Sequence, residues 1–291
     1  MDINYELYKV FYHVAATLSF SEASKQLYIS QSAVSQSIKV LEKKLNQPLF
    51  IRSTKKVQLT PEGEILLKHI EPAMNLIKKG ENQLLEAHSL NGGQLRIGAS
   101  DTICRYYLVP YLNRFHKEFP GIHIKVINQT SIECTRFLDN GQADFIVTNY
   151  PNSSLAGSLN TRVINEFHDV FVASRSAFDL EGKRLSLEEL LSYPIMMLDR
   201  KSTTSEFLHQ IFQKSQLDLV PEIELSSNDL LIDLARIGLG IAFVPDFCIP
   251  SNDKDLFILK LAEELPSRQM VVAFNENLPI SQAAQHFMDM L

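Results

Sequence analysis

Apolar residues near the N-terminus recur every three or four positions, which is the spacing of an amphipathic helix. They are Leu7, Val10, Phe11, Val14 and Leu18. Ser19, with Glu22 three residues later, has the pattern of a capping box, in which each side chain accepts a backbone N–H bond from the other residue. We therefore predict one helix over residues 5–18 and a second, short helix that begins after Ser19 and ends near Leu27.

A third helix is predicted over residues 31–45, because Ser30 can cap it and apolar residues again form one stripe. The opposite face carries hydroxyl, amide and ammonium groups. These polar residues are Gln31, Ser32, Ser35, Gln36, Lys39 and Lys43. Two helices joined by a three-residue turn are typical of proteins that place the second helix in the major groove of DNA, where such groups bond to base edges and phosphates. We therefore interpret this face as DNA-reading.

The segment IRSTKKVQLT, residues 51–60, alternates polar and apolar side chains around a basic tip and predicts a two-stranded wing. Arg52, Lys55 and Lys56 would lie along the DNA backbone or enter the minor groove. Polar stripes are also ordinary solvated helix faces, so any one of them is weak support. The order of capping box, short turn, polar stripe and basic wing favours a DNA-binding domain over residues 1–60.

A long helix is predicted over residues 61–91, since Thr60 can cap it and Pro61 suits its first position. Apolar and small residues then step by three and four along one narrow seam. The seam includes Leu66, Ile70, Ala73, Ile77 and Leu84. A narrow seam is typical of helices that pair between two chains, and we predict a homodimer through it. Packing against the core of the same chain is the alternative.

From residue 92 the chain alternates short apolar runs, typical of buried strands, with helical patterns. Strands are predicted in QLRIGAS, HIKVINQ, ADFIVTN, PIMMLD, PEIEL and GIAFVP, and helices over residues 102–118, 132–139, 203–215 and 228–237. This alternation predicts two α/β lobes with parallel strands, lobe I over about 92–161 and 267–291 and lobe II over about 162–266. VFVASRS and MVVAFNE would be the strands by which the chain crosses between the lobes.

Hydroxyl residues follow the predicted strands at their carboxyl ends, where ligands of open α/β sheets bind. They are Ser100, Thr102, Thr130, Ser131, Thr148, Ser202 and Thr203. Hydroxyls at helix starts can bind a small anion, such as a carboxylate. Each of them can instead serve only as a helix cap, so their recurrence carries the prediction of an effector site. Arg105, Arg200 and Lys201 are expected near this cleft and could pair with an acidic effector, or each could be an ordinary solvated side chain.

The chain of 291 residues has a net charge of −6, but residues 19–56 carry seven basic and two acidic residues. This local positive charge suits a polyanion partner. No Ser/His/Asp order, Walker loop, GxGxxG or HExxH motif occurs, so we predict neither an enzyme nor a cofactor or metal site. Cys104, Cys134 and Cys248 are far apart in the sequence, and buried thiols are the expected state, although a redox pair stays open.

No run approaches the about 18 apolar residues that a membrane helix needs, and the N-terminus lacks the pattern of an export signal. We expect no membrane association and a cytoplasmic location.

Some sixty residues resemble, without a gap, the winged helix-turn-helix signature of LysR-type transcriptional regulators. The resemblance lies in Phe11, Val14, SFSEASKQLYISQSAVSQSIKVLEKKL, QPLFIR and VQLTPEGE. It implies a dimer through the long helix, commonly assembled further into a tetramer. It also implies an effector domain with the architecture of type 2 periplasmic binding proteins, whose cleft uses the same strand-end positions. Ser32 and Gln36 stand where this family often has proline and arginine, so the preferred operator stays open.

Together these patterns predict an α/β protein with an N-terminal winged helix-turn-helix, a long linker helix and two α/β lobes. Its predicted function is sequence-specific binding of double-stranded operator or promoter DNA, modulated by a small anionic effector, with RNA polymerase as a further candidate partner. The competing hypothesis is a solute-binding or enzymatic α/β protein with an incidental helical N-terminus, which would not bind duplex DNA. A third hypothesis is a DNA-binding regulator that responds to partner proteins or thiol chemistry instead of a small molecule.

Overall fold

The computed structural model describes residues 3–52, 56–86, 93–155 and 159–291. These residues form two compact units, the first reaching from the N-terminal helices to Leu85 and the second containing most of the remaining chain. Lys55, one of the predicted wing residues, lies outside the described residues.

The first unit consists of three short helices, a β-hairpin and a long helix. They are α1 (Tyr5–Thr17), α2 (Phe20–Leu27), α3 (Gln31–Leu45), β1 (Phe50–Arg52), β2 (Val57–Leu59) and α4 (Pro61–Glu86). Helices α2 and α3 begin where the sequence predicts, because Ser19 and Ser30 accept the N–H groups of Glu22 and Ala33 at 3.2 Å. Instead of reaching back to complete the predicted capping box, the Glu22 carboxylate contacts Lys25 Nζ at 3.2 Å.

The core of the first unit is made by the apolar stripes of α1 and α3. It contains the fully buried Phe11, Val14, Val34, Ile38 and Leu41. Burying a side chain of this size contributes about 1.5–3 kcal/mol relative to exposure, so the stripe fixes α3 with its polar face outward. The hairpin is held to α3 by the Glu42 carboxylate, whose Oε1 accepts the N–H groups of Leu49 and Phe50 at 2.9 and 3.3 Å.

Helix α4 also begins as predicted. Thr60 Oγ1 accepts the N–H of Gly63 at 2.9 Å. Glycine is needed at position 63 because a Cβ there would lie 2.2 Å from the carbonyl oxygen of Leu49. The helix is continuous to Glu86. Residues 87–91, the predicted last turn, lie outside the part of the chain that the structure describes.

The second unit contains two α/β lobes. In chain order its elements are β3 (Gly93–Ala99), α5 (Asp101–Ile103), a π-helical turn (Cys104–Leu108), α6 (Val109–Glu118), β4 (Ile122–Asn128), α7 (Ser131–Asp139), β5 (Phe145–Tyr150), β6 (Asn160–Phe167), β7 (Asp169–Ser174), β8 (Arg184–Leu185), α8 (Leu187–Leu190), β9 (Ile195–Leu198), α9 (Thr203–Lys214), β10 (Ile223–Leu225), α10 (Asn228–Arg236), β11 (Ile241–Pro245), a 3-10 turn (Asp246–Cys248), β12 (Leu256–Ile258), β13 (Lys260–Leu261), β14 (Arg268–Phe274) and α11 (Gln282–Met290).

Each lobe is built on a mixed five-stranded sheet. In lobe I the strand order is β4-β3-β5-β14-β6, with β3 parallel to β4 and β5 and with β14 antiparallel to β5 and β6. In lobe II the order is β10-β9-β11-β7-β12, with β9 parallel to β10 and β11 and with β7 antiparallel to β11 and β12. The two predicted crossing strands, β7 and β14, are therefore the antiparallel ones, because the chain enters each of them from the other lobe.

The chain leaves lobe I later than predicted. Strand β6 pairs with β14 along its whole length, so lobe I extends to Phe167 rather than to about residue 161, and lobe II begins at Asp169. The sequence of this edge strand, NTRVINEF, has no continuous apolar run, and the apolar pattern therefore does not predict it. The short elements β8, β12, β13 and α8, and the C-terminal helix α11, are likewise absent from the prediction.

Aromatic side chains dominate the two lobe cores. In lobe I the ring of Phe287 lies 5.3 Å from that of Phe115 and 5.8 Å from that of Phe145. In lobe II the rings of Phe171 and Phe243 lie 4.7 Å apart. Each lobe thus has its own buried core, and Phe247 of lobe II also packs against Phe167 of lobe I, with the two rings 5.3 Å apart.

Among the described residues, no helix is long and apolar enough to cross a membrane. The same residues contain no group of three His, Cys, Asp or Glu side chains placed to hold a metal ion.

Candidate functional site

The polar face of α3 points away from the core of the first unit. Gln31, Ser32, Gln36, Lys39 and Lys43 are exposed, and Ser35 is half-buried. Ser30 Oγ, which caps the helix, also lies 2.9 Å from Ser32 Oγ, so the two hydroxyls share a hydrogen bond. One helix thus presents hydroxyl, amide and ammonium groups together, an arrangement that suits base edges and phosphates in the groove of a duplex.

The turn before α3 carries an aromatic residue that the sequence patterns did not assign to the site. Tyr28 closes α2 in the left-handed conformation, with φ 55°, and its side chain is 95% exposed. A large aromatic residue between two polar helices is a weak signal in a sequence, because turns tolerate many residue types. Its exposure beside α3 becomes evident only in the structure.

The predicted wing is the hairpin of β1 and β2. Arg52 closes β1 and pairs with Val57 in β2. Lys56 is exposed and immediately precedes β2. Arg52 and Lys56 therefore lie on either side of residues 53–55, which join the two strands and, Lys55 included, are outside the described residues.

The predicted dimer seam on α4 divides into two parts. Leu66 and Ile70 pack against the winged-helix core of their own chain, as the alternative interpretation expected. Ala73 is exposed, and Ile77 and Leu84 are 58% and 73% exposed. Of the predicted seam, the early residues therefore cover the domain from which the helix emerges, and the later residues are exposed.

A cavity of about 370 Å³ lies between lobes I and II. Its volume falls in the range of about 300–1,000 Å³ typical of small-molecule sites. Lobe I lines it with Ser100, Asp101, Thr102, Asn128, Gln129, Thr130, Ser131 and Asn149, and lobe II with Leu198, Asp199, Ser202, Thr203, Thr204, Ser226, Ser227 and Asn228. All but one of the hydroxyl residues predicted from the sequence are brought together here.

Thr148 is the exception and does not line the cavity. Its side chain is fully buried, and its Oγ1 accepts a bond from Asn152 Nδ2 at 3.0 Å. Successive side chains of a strand point to opposite faces, so the next residue, Asn149, lines the cavity instead. The prediction placed Thr148 at a strand end, whereas β5 continues to Tyr150.

Four helix starts meet at the cavity: those of α5 and α7 in lobe I and those of α9 and α10 in lobe II. Ser100, Thr130, Ser202 and Ser227 each accept an N–H group of their own helix, at 3.4, 3.2, 3.1 and 3.3 Å. The capping role that competed with the effector interpretation is therefore present. It still leaves the first N–H groups of each helix without an intrahelical acceptor, and the helix dipoles add partial positive charge. These N–H groups can bind an anion.

No basic side chain of the described residues lines the cavity. Of the described residues that line the cavity, the charged ones are the acidic Asp101 and Asp199. Arg105, Arg200 and Lys201 are not among the lining residues, although they were candidates to pair with an acidic effector. Arg105 instead forms an ion pair with Asp229 at 3.5 Å.

Hydrogen bonds join the two lobes beside the cavity. Asn228 Nδ2 donates to Thr102 Oγ1 at 2.9 Å, and Tyr106 Oη donates to Asp229 Oδ1 at 2.7 Å. Burial and the bond to Asp229 raise the pKa of Tyr106, which keeps the phenol protonated as the donor. These contacts hold the start of α10 against lobe I.

A fully buried ion pair lies where the chain passes between the lobes. Arg268, the first residue of β14, donates from Nη1 to Asp169 Oδ2 at 2.8 Å and to Thr204 Oγ1 at 3.1 Å. The rings of Phe167 and Phe207 lie 5.5 and 4.9 Å from the guanidinium carbon. Burial raises the pKa of Asp169, and Arg268 opposes that rise. Because Thr204 also lines the cavity, the pair connects the crossing strands with the first turn of α9.

The three cysteines are free thiols. Burial raises the pKa of Cys104 to about 11 and that of Cys134 to about 12, and it also raises the pKa of Cys248. The thiolate is the reactive form of cysteine, so these environments disfavour thiol chemistry near neutral pH.

Two family models match the chain. The model of the bacterial regulatory helix-turn-helix protein, lysR family, matches residues 5–64. The model of the LysR substrate binding domain matches residues 88–291.

Individual proteins are similar over most of the chain. The HTH-type transcriptional activator CmpR of Synechocystis is 27% identical over 286 residues, which is 98% of this chain and 93% of the relative. A full-length OxyR from Pseudomonas aeruginosa superposes with a TM-score of 0.74 at 18% identity and covers 99% of this chain and 94% of its own. The regulatory domain of CcmR from Synechocystis, in complex with 2-PG, superposes with a TM-score of 0.62 at 22% identity over 68% of this chain and 94% of its own. The two structural likenesses show a shared fold.

Proposed function

This chain belongs to the LysR family of DNA-binding transcriptional regulators, and we propose that it binds operator DNA through the polar face of α3 and responds to a small anion held between lobes I and II. One observation carries the effector assignment. Four helix starts, two from each lobe, meet at a cavity of about 370 Å³ lined by hydroxyl and amide residues. Backbone N–H groups can bind an anion there without a buried cationic side chain, whose desolvation would be costly.

The proposed DNA contacts divide into two classes. Ser32, Ser35 and Gln36 on α3 have groups that bond to base edges and would select the sequence. Lys39 and Lys43 on α3, with Arg52, Lys55 and Lys56 on the wing, would contact phosphates and add affinity for any duplex. This division follows from the side-chain chemistry and from the exposure of the residues on α3.

A small anion is also supported by a similar protein. The CcmR regulatory domain that shares this fold was solved in complex with 2-PG. The identity to this chain is 22%, so the likeness suggests a class of compound to test and no particular contact.

We propose a homodimer through the later turns of α4. Ala73, Ile77 and Leu84 are exposed there, and a paired helix would cover them. Two chains would deliver two copies of α3 to a two-fold operator. Further assembly into a tetramer is part of the same proposal, as is a location with the DNA in the cytoplasm.

The oligomer can be tested by sedimentation velocity. The Ile77→Asp variant should sediment as a smaller species than the unmodified chain at equal concentration, because a charge replaces an apolar contact at the centre of the seam. An unchanged sedimentation coefficient would show that this seam is not part of a dimer interface.

Effector control would work by population shift. An anion that contacts helix starts in both lobes binds the closed arrangement of the lobes more tightly than an open one and therefore favours closure. Within a dimer, such a change could alter the spacing of the two DNA-reading helices and so couple anion binding to DNA binding.

Fluorescence anisotropy of the full-length chain with a labelled promoter fragment tests the function. The fragment upstream of the chain's own gene should bind more tightly than a shuffled duplex at the same salt concentration. At least one of a panel of small anions, 2-PG included, should change the affinity or the DNase I footprint. Equal binding to both duplexes would contradict the proposed operator binding. An affinity and a footprint that no anion changes would contradict the proposed control by a small anion.

A further inference from the structure

The turn between α2 and α3 carries a tyrosine that neither packing nor backbone conformation explains. The side chain of Tyr28 is 95% exposed, and within the described residues it has no hydrogen bond or ring contact. Its φ of 55° lies in the left-handed region, which glycine and asparagine adopt most readily. Asn46, which ends α3 in the same conformation, is a residue of that kind. A tyrosine at position 28 therefore points to a partner outside the chain.

Tyr28 begins an exposed surface that continues into the proposed DNA-reading face. Residues 28–33, which are the turn and the first residues of α3, are all exposed. The turn is fixed to the end of α2, because the N–H of Tyr28 donates to the carbonyl of Lys25 at 3.2 Å and the N–H of Ile29 to that of Ser24 at 3.1 Å. The phenol is therefore held at the end of α3 where a recognition helix contacts bases.

The phosphate contacts proposed above lie farther along α3 or on the wing. Lys39 and Lys43 are eight and twelve residues beyond Gln31, which places them about 12 and 18 Å farther along the helix axis. Lys25, on α2, has its ammonium 3.2 Å from the Glu22 carboxylate. Contacts to the DNA backbone fix the register in which a helix reads bases. The first turn of α3 has no such contact among those proposed above.

We infer that Tyr28 supplies this contact, with its phenol hydroxyl donating a hydrogen bond to a backbone phosphate of duplex DNA. Tyrosine is among the residues that bond to phosphates in protein–DNA complexes, and a bond to a charged oxygen is stronger than one between neutral groups. The contact would position the first turn of α3 in the groove without reading a base itself. This inference rests on the proposed function and adds a positioning residue to the same DNA-binding surface.

Fluorescence anisotropy of the full-length Tyr28→Phe variant tests the inference, with the promoter fragment and the shuffled duplex as probes. The variant removes only the hydroxyl and should weaken binding to both duplexes by at least about tenfold. The ratio of the two dissociation constants should stay that of the unmodified chain, because the lost bond reads no base. The salt slope should also stay unchanged, because a neutral phenol displaces no counterion, whereas each lost lysine contact lowers it by about 0.9.

Two further variants serve as controls. Tyr5→Phe removes the hydroxyl of another tyrosine of the same unit, which is 85% exposed at the start of α1, and should leave DNA binding unchanged. Tyr28→Asn places a residue suited to the left-handed conformation at the turn and should weaken DNA binding at least as much as Tyr28→Phe. Thermal unfolding of all three variants should match that of the unmodified chain or, for Tyr28→Asn, exceed it, which separates lost DNA binding from lost folding.

The outcomes separate this inference from the proposed function. If the unmodified chain binds neither duplex, the proposed function is contradicted, and this inference falls with it. If the unmodified chain binds DNA and Tyr28→Phe binds equally well, the phosphate contact is wrong, while the proposed function stands. A loss confined to the promoter fragment would make Tyr28 a base-reading residue and overturn the phosphate assignment. An equal loss in Tyr5→Phe would show that position 28 has no particular role.

Discussion

The proposed DNA-reading face and the proposed effector cavity use similar polar side chains in opposite ways. On α3 the polar residues belong to one helix and are mostly exposed, while the fully buried Val34 and Ile38 hold the helix from the other side. In the cavity the polar residues come from both lobes, and several, such as Thr203 and Asn228, are buried. DNA is too large to be enclosed, so the residues that contact it must already be exposed to solvent in the free protein. A small anion is instead enclosed by the residues that bind it. Substitutions on the face should therefore change binding alone, and substitutions around the cavity should change stability as well.

The largest expected effect is at the crossing between the lobes. Arg268→Met leaves the fully buried carboxylate of Asp169 without its cation and should lower the free energy of unfolding by about 3–5 kcal/mol. Lys39→Ala on the DNA-reading face should change it by less than about 0.5 kcal/mol. Urea unfolding of the full-length chains, followed by circular dichroism, measures both. If both variants lose the same free energy of unfolding, the expected difference between the crossing of the lobes and the exposed face of α3 is contradicted.

A double variant serves as the control for that result. Adding Asp169→Asn to Arg268→Met removes the uncompensated charge, so part of the lost stability should return. A double variant that is as unstable as the sum of the single variants would show that packing around the guanidinium, and not the ion pair, accounts for the effect.

The second prediction separates selectivity from affinity within the first unit. Replacing Ser35 and Gln36 with Ala should reduce the preference for operator over shuffled DNA by about 1–3 kcal/mol for each lost base contact. Replacing Lys55 and Lys56 with Ala should weaken binding to every duplex and reduce the salt slope by about 0.9 for each lost phosphate contact. Anisotropy titrations at several salt concentrations measure both. Identical behaviour of the two pairs would contradict the assignment of face and wing.

The third prediction concerns the helix caps at the cavity. Ser202→Ala removes the cap of α9 and should cost about 1 kcal/mol of stability, and it should also weaken anion binding, because the first turn of α9 lines the cavity. Ser281→Ala removes the cap of α11, outside the cavity, and should cost a similar amount of stability without changing anion affinity. Thermal unfolding and titration calorimetry measure the two effects. If both substitutions change the anion affinity equally, the cap of α9 has no particular role in anion binding at the cavity.

The smallest effect is expected at the cysteines. Burial raises the pKa of Cys104 to about 11, so on the order of one thiol in a thousand is ionised at pH 8. Alkylation by iodoacetamide should therefore be slow at pH 8 and should become faster as the pH rises toward that pKa. Mass spectrometry follows the reaction, with a short cysteine peptide as the fast control. Rapid alkylation at pH 8, or DNA binding that changes with hydrogen peroxide, would favour the thiol hypothesis.

Local signals account for most of what could be predicted. The caps at Ser19, Ser30 and Thr60 and the apolar stripes beside them act within a few residues, and the helices of the first unit begin where these signals lie. Strand β6 was not predicted, because an edge strand needs no continuous apolar run. Leu66 and Ile70 belong to a regular seam, yet the domain before α4 covers them, and a repeat along one helix contains no information about that neighbour.

The sequence by itself determined the winged helix, the long helix, the alternation of strands and helices in two lobes, and the hydroxyl residues at the strand ends, because periodicity and capping are properties of neighbouring residues. Only the tertiary structure decided that Asn149 rather than Thr148 lines the cavity, that the cavity contains no basic side chain among the described residues, and that Arg268 meets Asp169 inside the protein. Those facts depend on which strands pair and where the chain crosses between lobes, and such contacts join residues that are far apart in the sequence.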